Sequence, residues 1–450
     1  MTKEERLGSE RLGKLMLTMA LPGIAAQVIN ILYNVVDRIY IGHIPGVGSA
    51  ALTGVGVTLP LITFISAFSA FVGRGGAPLS AIHLGKGERE QAERLMGTGA
   101  ALLVVFTLVL MAVFYLFQRP LLFAFGASKE TIGYASSYLS LYLIGTLSVQ
   151  LTLGLNPYIT FQGQSVIGML TIVVGAVLNL ILDPIFIFLL DWGVKGAAIA
   201  TVISQTVSAA WILSFLFGKK ATLRLRLCYL RPDKAFTKRI FSLGISPFIM
   251  TSTESLISIV MNRGLQIYGG DLYVGSLTIM QSVMQLMSAP LAGFTQGIQP
   301  IISYNYGAGN ITRVRAAYRR MLLICESFSF AATMIAILFP GFFAGFFTKD
   351  ADLIELVAKK MPVFICGMLI FGLQMAIQPT FIALGQAKVS MFIAALRKVI
   401  LLVPLALILP IFFGVNGVYY AEPISDILSA LTCTVLFFVF IPKILKKEPQ

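Results

Sequence analysis

The chain has 450 residues, 57% of them hydrophobic and only 12% charged, and its mean hydropathy is +0.86. That composition excludes a soluble globular protein, which needs far more charge to cover its surface. The formal net charge of +14 would by itself suit nucleic-acid binding; the placement of the basic residues excludes that too.

Apolar runs broken by polar, Gly and Pro residues predict twelve spans, at about 14–41, 50–76, 95–117, 132–158, 166–190, 194–217, 240–268, 272–302, 317–340, 355–383, 389–412 and 416–441. The runs are about 20 residues or longer and lack period-two alternation, so they predict helices rather than barrel strands. Ahead of the first lies MTKEERLGSERLGK, polar and mixed in charge. No small-residue cleavage site follows it, so a cleavable signal peptide is not expected. Lys and Arg gather at this N-terminus, after span 2 (Lys86, Arg89, Arg94) and most densely after span 6, from Lys219 to Arg239. They gather again after span 8 (Arg313, Arg315, Arg319, Arg320) and at the C-terminus (Lys443, Lys446, Lys447). Loops after odd-numbered spans are nearly free of base. Because cytoplasmic loops carry the excess of positive charge, both termini and every even-span loop are expected in the cytoplasm. The +14 charge reads as topology, with no nucleic-acid partner. Cys228, Cys325, Cys366 and Cys433 stand singly without metal-ligand spacing and read as inert apolar filler.

Span 5 contains GAVLNLILDPIFIF, residues 175–188, apolar enough for a bilayer yet carrying Asn179, Asp183 and Pro184. A carboxylate at that depth persists where it binds or pairs with something. Four residues apart on a helix, Asn179 and Asp183 share a face, and Pro184 lacks the N–H that would bond the Leu180 carbonyl. Amide, carboxylate and freed carbonyl form an oxygen-rich patch suited to a small hard cation or a proton. At about 1.5 Å per residue, Asp183, Thr201 in span 6 and Asp37 in span 1 fall within roughly one or two turns in depth, in the outer half of the bilayer.

The chain also repeats. Pro22 matches Pro247, Asp37-Arg38 matches Asn262-Arg263, and Pro78 matches Pro300; Gly85-x-Gly87 matches Gly307-x-Gly309, Gly163-Gln164 matches Gly385-Gln386, and Gly193-x-x-Gly196 matches Gly414-x-x-Gly417. The separations stay between 221 and 225. Each half therefore has six spans, and an even number puts both halves in the same orientation, related by a pseudo-two-fold axis along the membrane normal. The expected fold is an all-α integral membrane protein of twelve transmembrane helices in two six-helix lobes, 1–217 and 240–450, joined by a basic cytoplasmic loop at 218–239. Parallel repeats around a polar site are the architecture of alternating-access transporters.

YNVVDRIYIG in span 1, GKGEREQA after span 2, LNLILDPIFIF in span 5 and GVKGAAIATVISQ in span 6, in this order and spacing, resemble the multidrug and toxic compound extrusion (MATE) family, on its MepA-like and DinF-like side. The resemblance covers essentially the whole chain. It implies a bacterial cytoplasmic-membrane exporter of cationic, amphipathic small molecules, driven by inward Na⁺ or H⁺ and working as a monomer without a cofactor. It further implies that Asp37, Asn179, Asp183 and Thr201 form the cation or proton coupling site, with Na⁺ as the possible metal. The bland alternative pairs Asp37 with Arg38 and lets Asp183 hydrogen-bond Asn179.

The second lobe is not a copy. Asn262 stands for Asp37, Glu422 for Thr201, and the Asp183 position falls near Pro404. In exchange come Glu254 in span 7, Arg397 and Lys398 in span 11, and Glu422 and Asp426 four apart in span 12. Asn262, Arg397, Glu422 and Asp426 read as a polar network in which Arg397 neutralises an acid, since intramembrane charges usually pair. Glu254 has no obvious partner in sequence and reads as a counter-charge for cationic substrate. Some MATE branches use a glutamate in span 7 with an aspartate in span 10; here span 10 offers only Gln374 and Gln378. Met280, Met284 and Met287 at helical spacing, beside Gln281, read either as an adaptable substrate wall or as apolar filler. No catalytic cluster or phosphate loop is present in the sequence, so the protein is not expected to be an enzyme or to hydrolyse ATP. Two rivals remain: a lipid-linked oligosaccharide flippase of similar architecture, which would want more cleft cations than Arg74, Arg397 and Lys398, and a membrane-embedded lipid enzyme.

Overall fold

The computed structural model describes residues 3–446. Lys447, counted among the C-terminal basic residues, lies outside the described residues, as do the chain ends themselves. A short helix α1 (Lys3–Ser9) precedes α2 (Leu12–Gly42), α3 (Gly48–Gly85) and α4 (Arg89–Ala124). The fourth span is two helices, α5 (Ile132–Ile144) and α6 (Thr146–Phe161), bent by 59°. Next come α7 (Ser165–Pro184), a π turn over Ile185–Leu189, and α8 (Gly193–Phe217). The second lobe opens with α9 (Lys234–Tyr268), α10 (Asp271–Gly307), α11 (Ile311–Leu338) and the short α12 (Pro340–Gly345). Its fourth span is again a bent pair, α13 (Ala351–Ile365) and α14 (Met368–Ala383), at 49°. The chain finishes with α15 (Ala387–Ala395), a π segment over Leu396–Leu402, α16 (Val403–Phe413) and α17 (Val415–Ile444).

Among the described residues, nine helices are long and apolar enough to cross a membrane, and the two bent pairs raise the number to eleven. The twelfth is α10. It is 37 residues long, but Gln281, Gln285, Gln296 and Gln299 dilute its apolar character, and all four face the interior of the molecule. Outward-facing positions are apolar, with Leu116, Leu189 and Phe412 each more than 70% exposed, as a bilayer requires of helices whose backbone bonds are satisfied internally.

The repeated glycines have a backbone reason. Gly87 and Gly309, Gly163 and Gly385, and Gly193 and Gly414 all take positive φ, between +53° and +83°, where chains leave or enter helices; a Cβ is strained there. One further glycine pair keeps the same shift, at 222 residues. Gly145 and Gly367 sit at the two bends, and a Cβ would come within 2.6 Å of Val202 at the first and 2.8 Å of Asp426 at the second. Small residues at both bends let the broken span press against α8 or α17.

The lobes meet through α2 against α10 and α3 against α9. Here too glycine decides the distance. A Cβ on Gly75 would lie 2.6 Å from the Ile240 carbonyl oxygen, and one on the matching Gly297 would lie 2.5 Å from that of Met19. Gly85 and Gly307 likewise abut backbone, at Tyr304 and Ile82 respectively. These contacts close the interior at the end of the molecule that carries the basic loops. At that same end Asn305 Nδ2 donates to the Leu7 carbonyl at 2.8 Å, and Arg313 Nε donates to it at 3.1 Å. The connecting loop folds back on α4, where Glu93 accepts Arg226 Nε at 2.7 Å and the Arg224 amide at 3.1 Å. α9 begins inside the segment expected as linker because Asp233 caps the Ala235 and Phe236 amides at 2.8 and 3.1 Å.

Candidate functional site

In the first lobe, α7 is held flat against α8. A Cβ on Gly175 would lie 2.5 Å from Ser208 Oγ, whose hydroxyl donates to the Thr171 carbonyl at 3.2 Å. One turn further out this packing brings Asn179 and Asp183 opposite Thr201, all three at most 5% exposed. Asn179 Nδ2 donates to Asp183 Oδ1 at 3.3 Å and to Thr201 Oγ1 at 3.4 Å. Beyond Pro184 the helix widens into the π turn, closed by the Leu190 amide on the Ile185 carbonyl at 2.9 Å. From α2, Asp37 turns its carboxyl to that of Asp183 and forms no ion pair with Arg38 among the described residues. Two tyrosines that the sequence reading did not single out complete the pocket. Tyr33, one turn before Asp37, and Tyr138 of α5 stand with their hydroxyls beside Thr201. Their only sequence signal is the four-residue spacing of Tyr33 from Asp37.

Two buried oxygens in this pocket, Asp37 Oδ1 and Asn179 Oδ1, have no hydrogen-bond donor. Buried acceptors left unsatisfied are rare and call for a partner. Two carboxylates in contact cannot both stay ionised without a positive charge between them. The pocket therefore has the donor set for one small cation or one shared proton.

Between the lobes lies a separate cavity of about 660 Å³. Gln27, Asn30, Tyr33, Arg74 and Asn156 line it from the first lobe. From the second lobe come Glu254, Gln281, Met284, Arg397, Lys398 and Glu422. Tyr33 is common to the cavity and the carboxylate pocket; Asp37, Asn179, Asp183 and Thr201 are not among the cavity-lining residues.

The second-lobe residues depart from expectation in three respects. Glu254, read as lacking a partner, receives Lys398 Nζ at 3.7 Å; the two are far apart in sequence and meet only through the packing of α15 on α9. The methionine stripe divides. Met284 lines the cavity, but Met280 and Met287 are buried in the second-lobe core, because the neighbouring Gln281 and Gln285 keep the wet face of α10 and turn the thioethers inward. Arg397 binds two acids at once, Asp426 at 2.8 Å and Glu422 at 3.4 Å, with its guanidinium 4.2 Å over the Phe371 ring. Asn262, expected in that network, makes no hydrogen bond to it among the described residues. It lies eight residues beyond Glu254 on α9, about 12 Å along the helix. In the first lobe, His83 is bonded to Glu88 at 2.6 Å at the basic end.

The MatE family model matches the chain twice, over residues 22–185 and 247–408, so its two copies begin 225 residues apart. The chain is 25% identical over 428 residues to the multidrug export protein MepA of Staphylococcus haemolyticus, covering 95% of this chain and 93% of that protein. It is 24% identical to MepA of Staphylococcus aureus strain MSSA476 with the same coverage of both proteins. Among solved structures, a MATE transporter in complex with MaL6 superposes with a TM-score of 0.91 at 23% identity, over 99% of this chain and 100% of that one. An outward-facing multidrug resistance MATE transporter of the MOP superfamily gives 0.90 at 23% identity, again over 99% and 100%.

Proposed function

The chain belongs to the MatE family, and on that premise we propose that it is a secondary active multidrug exporter of the bacterial cytoplasmic membrane, acting as a monomer and coupled to inward Na⁺ or H⁺. The observation that carries the reading is the separation of two sites in one molecule: a roomy cavity between the lobes and, behind Tyr33, a carboxylate pair in a pocket with two unsatisfied buried oxygens, Asp37 Oδ1 and Asn179 Oδ1. The cavity suits an amphipathic organic molecule. The pocket suits the coupling ion, which is the second substrate of an antiporter.

Coupling follows if the ion favours one arrangement of α2 against α7 and α8, because a ligand shifts an equilibrium only by its differential affinity for the two states. Asp37 and Tyr33 ride on α2, whereas Asn179, Asp183 and Thr201 ride on α7 and α8. Compensating the paired carboxylates therefore changes how α2 rests on its neighbours, and Tyr33 carries that change to the cavity wall. With the basic end cytoplasmic, the glycine seam closes the inner side, and the conformation described is the outward-open one. The relatives named for multidrug export support the substrate class. The flippase reading gains little, because Arg397 and Lys398, though both in the cavity, are already engaged by carboxylates.

The test is drug efflux from proteoliposomes under independently imposed Na⁺ and pH gradients, with equilibrium drug binding measured alongside. Asp183→Asn is expected to keep drug binding and lose gradient-driven accumulation. Asp37→Asn should behave the same way, and Thr201→Ala should only shift the ion dependence. Wild-type-like, gradient-driven efflux by Asp183→Asn would overturn the coupling site.

A further inference from the structure

Helix α11 carries a single acid, Glu326. It lies about 9 Å along the helix past Arg320 and about 18 Å short of Leu338, at bilayer depth in a stretch with no other charge. Its Oε2 is buried with no hydrogen-bond partner among the described residues, and the carboxyl rests on the α14 backbone at Gly372 and Leu373. No cation answers it. Neither α14 nor α12 has an ionisable side chain. The ionisable residues of α10 are Asp271, Tyr273, Tyr304 and Tyr306, at its two ends. Those of α13 are Asp352, Glu355, Lys359 and Lys360, all well before the bend. On α17, which packs on α14, Glu422 and Asp426 are taken by Arg397. Cys325 is the titratable group directly beside Glu326.

The place is shaped for this acid. A Cβ on Gly372 would lie 2.8 Å from Glu326 Oε2 and 2.5 Å from the Cys325 carbonyl oxygen, so glycine is what lets the carboxyl lie between the two helices. One turn on, Ser329 Oγ donates to the Met368 carbonyl at 2.6 Å, which ties α11 to the first residue after the bend at Gly367. The first lobe has neither half of the arrangement. At the 222-residue shift of the bend glycines, Glu326 falls on Val104, 40% exposed. Gly372 falls on Gln150, which bonds Ser69 and the Ile65 carbonyl of α3 instead. Acid and glycine thus occur together, in one lobe. An ionised carboxylate pressed on backbone at this depth without a cation is costly. A proton removes the charge and leaves a neutral group that fits the same contact.

We propose that Glu326 is a second proton-binding site, outside both the cavity and the Asp37–Asp183 pocket, and that its neutral form keeps α14 on α11 beside the bend. Helix α14 also forms cavity wall through Phe371, Gln374, Met375 and Gln378, whereas Glu326 is not among the lining residues. Proton loss from Glu326 therefore acts on that wall from behind. The site does not depend on what the cavity carries.

The test treats the purified full-length chain in lipid nanodiscs with dicyclohexylcarbodiimide, a lipid-soluble reagent for protonated acids. The acid proton passes to one carbodiimide nitrogen as the carboxyl oxygen bonds the central carbon. Shift of the acyl group from oxygen to nitrogen then gives a stable N-acylurea, with no atom lost. The adduct is located by fragment ions that separate Glu326 from Cys325, with Glu326→Gln as the blank. Labelling at Glu326 is expected to change by less than about tenfold between about pH 5 and about pH 7, where an aqueous glutamate of pKa about 4.3 loses roughly eightyfold of its protonated form. No adduct at Glu326, or a fall beyond about tenfold, overturns the site. The packing role is read from melting temperature. A folded state that holds a proton the unfolded chain has released loses stability as pH rises, so wild type should melt lower at about pH 9 than at about pH 6. Glu326→Gln, neutral throughout, should show a smaller drop, and an equal drop in both proteins overturns that role. Labelling of wild type decides the site even where the variant fails to fold.

Discussion

Gly297→Ala offers a direct test of how the lobes close. The added methyl would stand 2.5 Å from the Met19 carbonyl oxygen and 2.6 Å from Ala20 Cα. Both are helix backbone, so neither can swing aside. Ordinary contact begins near 3.4 Å, so α2 and α10 must part by roughly 0.9 Å. Overpacking a close-fitted seam costs about 1–3 kcal/mol, and at 1.4 kcal/mol per tenfold that shifts the balance of states by roughly five- to 150-fold away from the closed seam. The readout is a cysteine placed at Gln299, in the cavity, in a chain whose exposed Cys228 is replaced by serine, labelled in inside-out vesicles with a membrane-impermeant thiol reagent. Its labelling rate should rise in Gly297→Ala and in the matching Gly75→Ala. Gly56→Ala, in α3 with nothing within 4 Å of the new Cβ, should leave the rate at the wild-type level. A labelling rate in both seam variants equal to that of Gly56→Ala would refute the argument that backbone contact at these glycines keeps the basic end shut.

Two other outcomes follow from the geometry. Arg397→Ala leaves Asp426 and Glu422 buried without a counter-charge and should destabilise the protein by about 3–5 kcal/mol, read as a lowered melting temperature in detergent; adding Asp426→Asn should recover part of that loss. Cys228 is the only exposed cysteine of the four and lies in the connecting loop, so an impermeant maleimide should label it in inside-out vesicles and leave it unmodified in intact cells, and labelling from outside would reverse the assigned topology.

Much of this was legible before any coordinates because the relevant signals are local. Asn179 and Asp183 share a helix face by spacing alone, and the repeated glycines mark backbone turns that no other residue adopts easily. Thr201 and Asp37 could be matched in depth because helical rise converts residue count into distance. What escaped notice depends on how helices pack. Lys398 finds Glu254 only when α15 lies along α9, and Tyr138 reaches Thr201 from a helix half a span away. The methionines of α10 look like one stripe in sequence, yet the side that faces water is decided by the adjacent glutamines and by what the second lobe offers as a core. The bends at Gly145 and Gly367 carry no local signature; what the glycines answer to is the close approach of α8 and α17, which leaves no room for a side chain.

The docking of α1 has a mechanical consequence. Leu7 is fully buried and its carbonyl is held by Asn305 and Arg313, both on second-lobe helices, while only residues 10 and 11 separate α1 from α2. Residues 3–11 thus form a short leash tied across the two halves. If the halves part at the basic end, either the leash slips its knot on Asn305 and Arg313, or the foot of α2 stays behind with the second lobe and the helix flexes above it, near Pro22. On the exporter reading proposed above, residues 3–11 would move with that machinery and help set how wide the inner mouth opens.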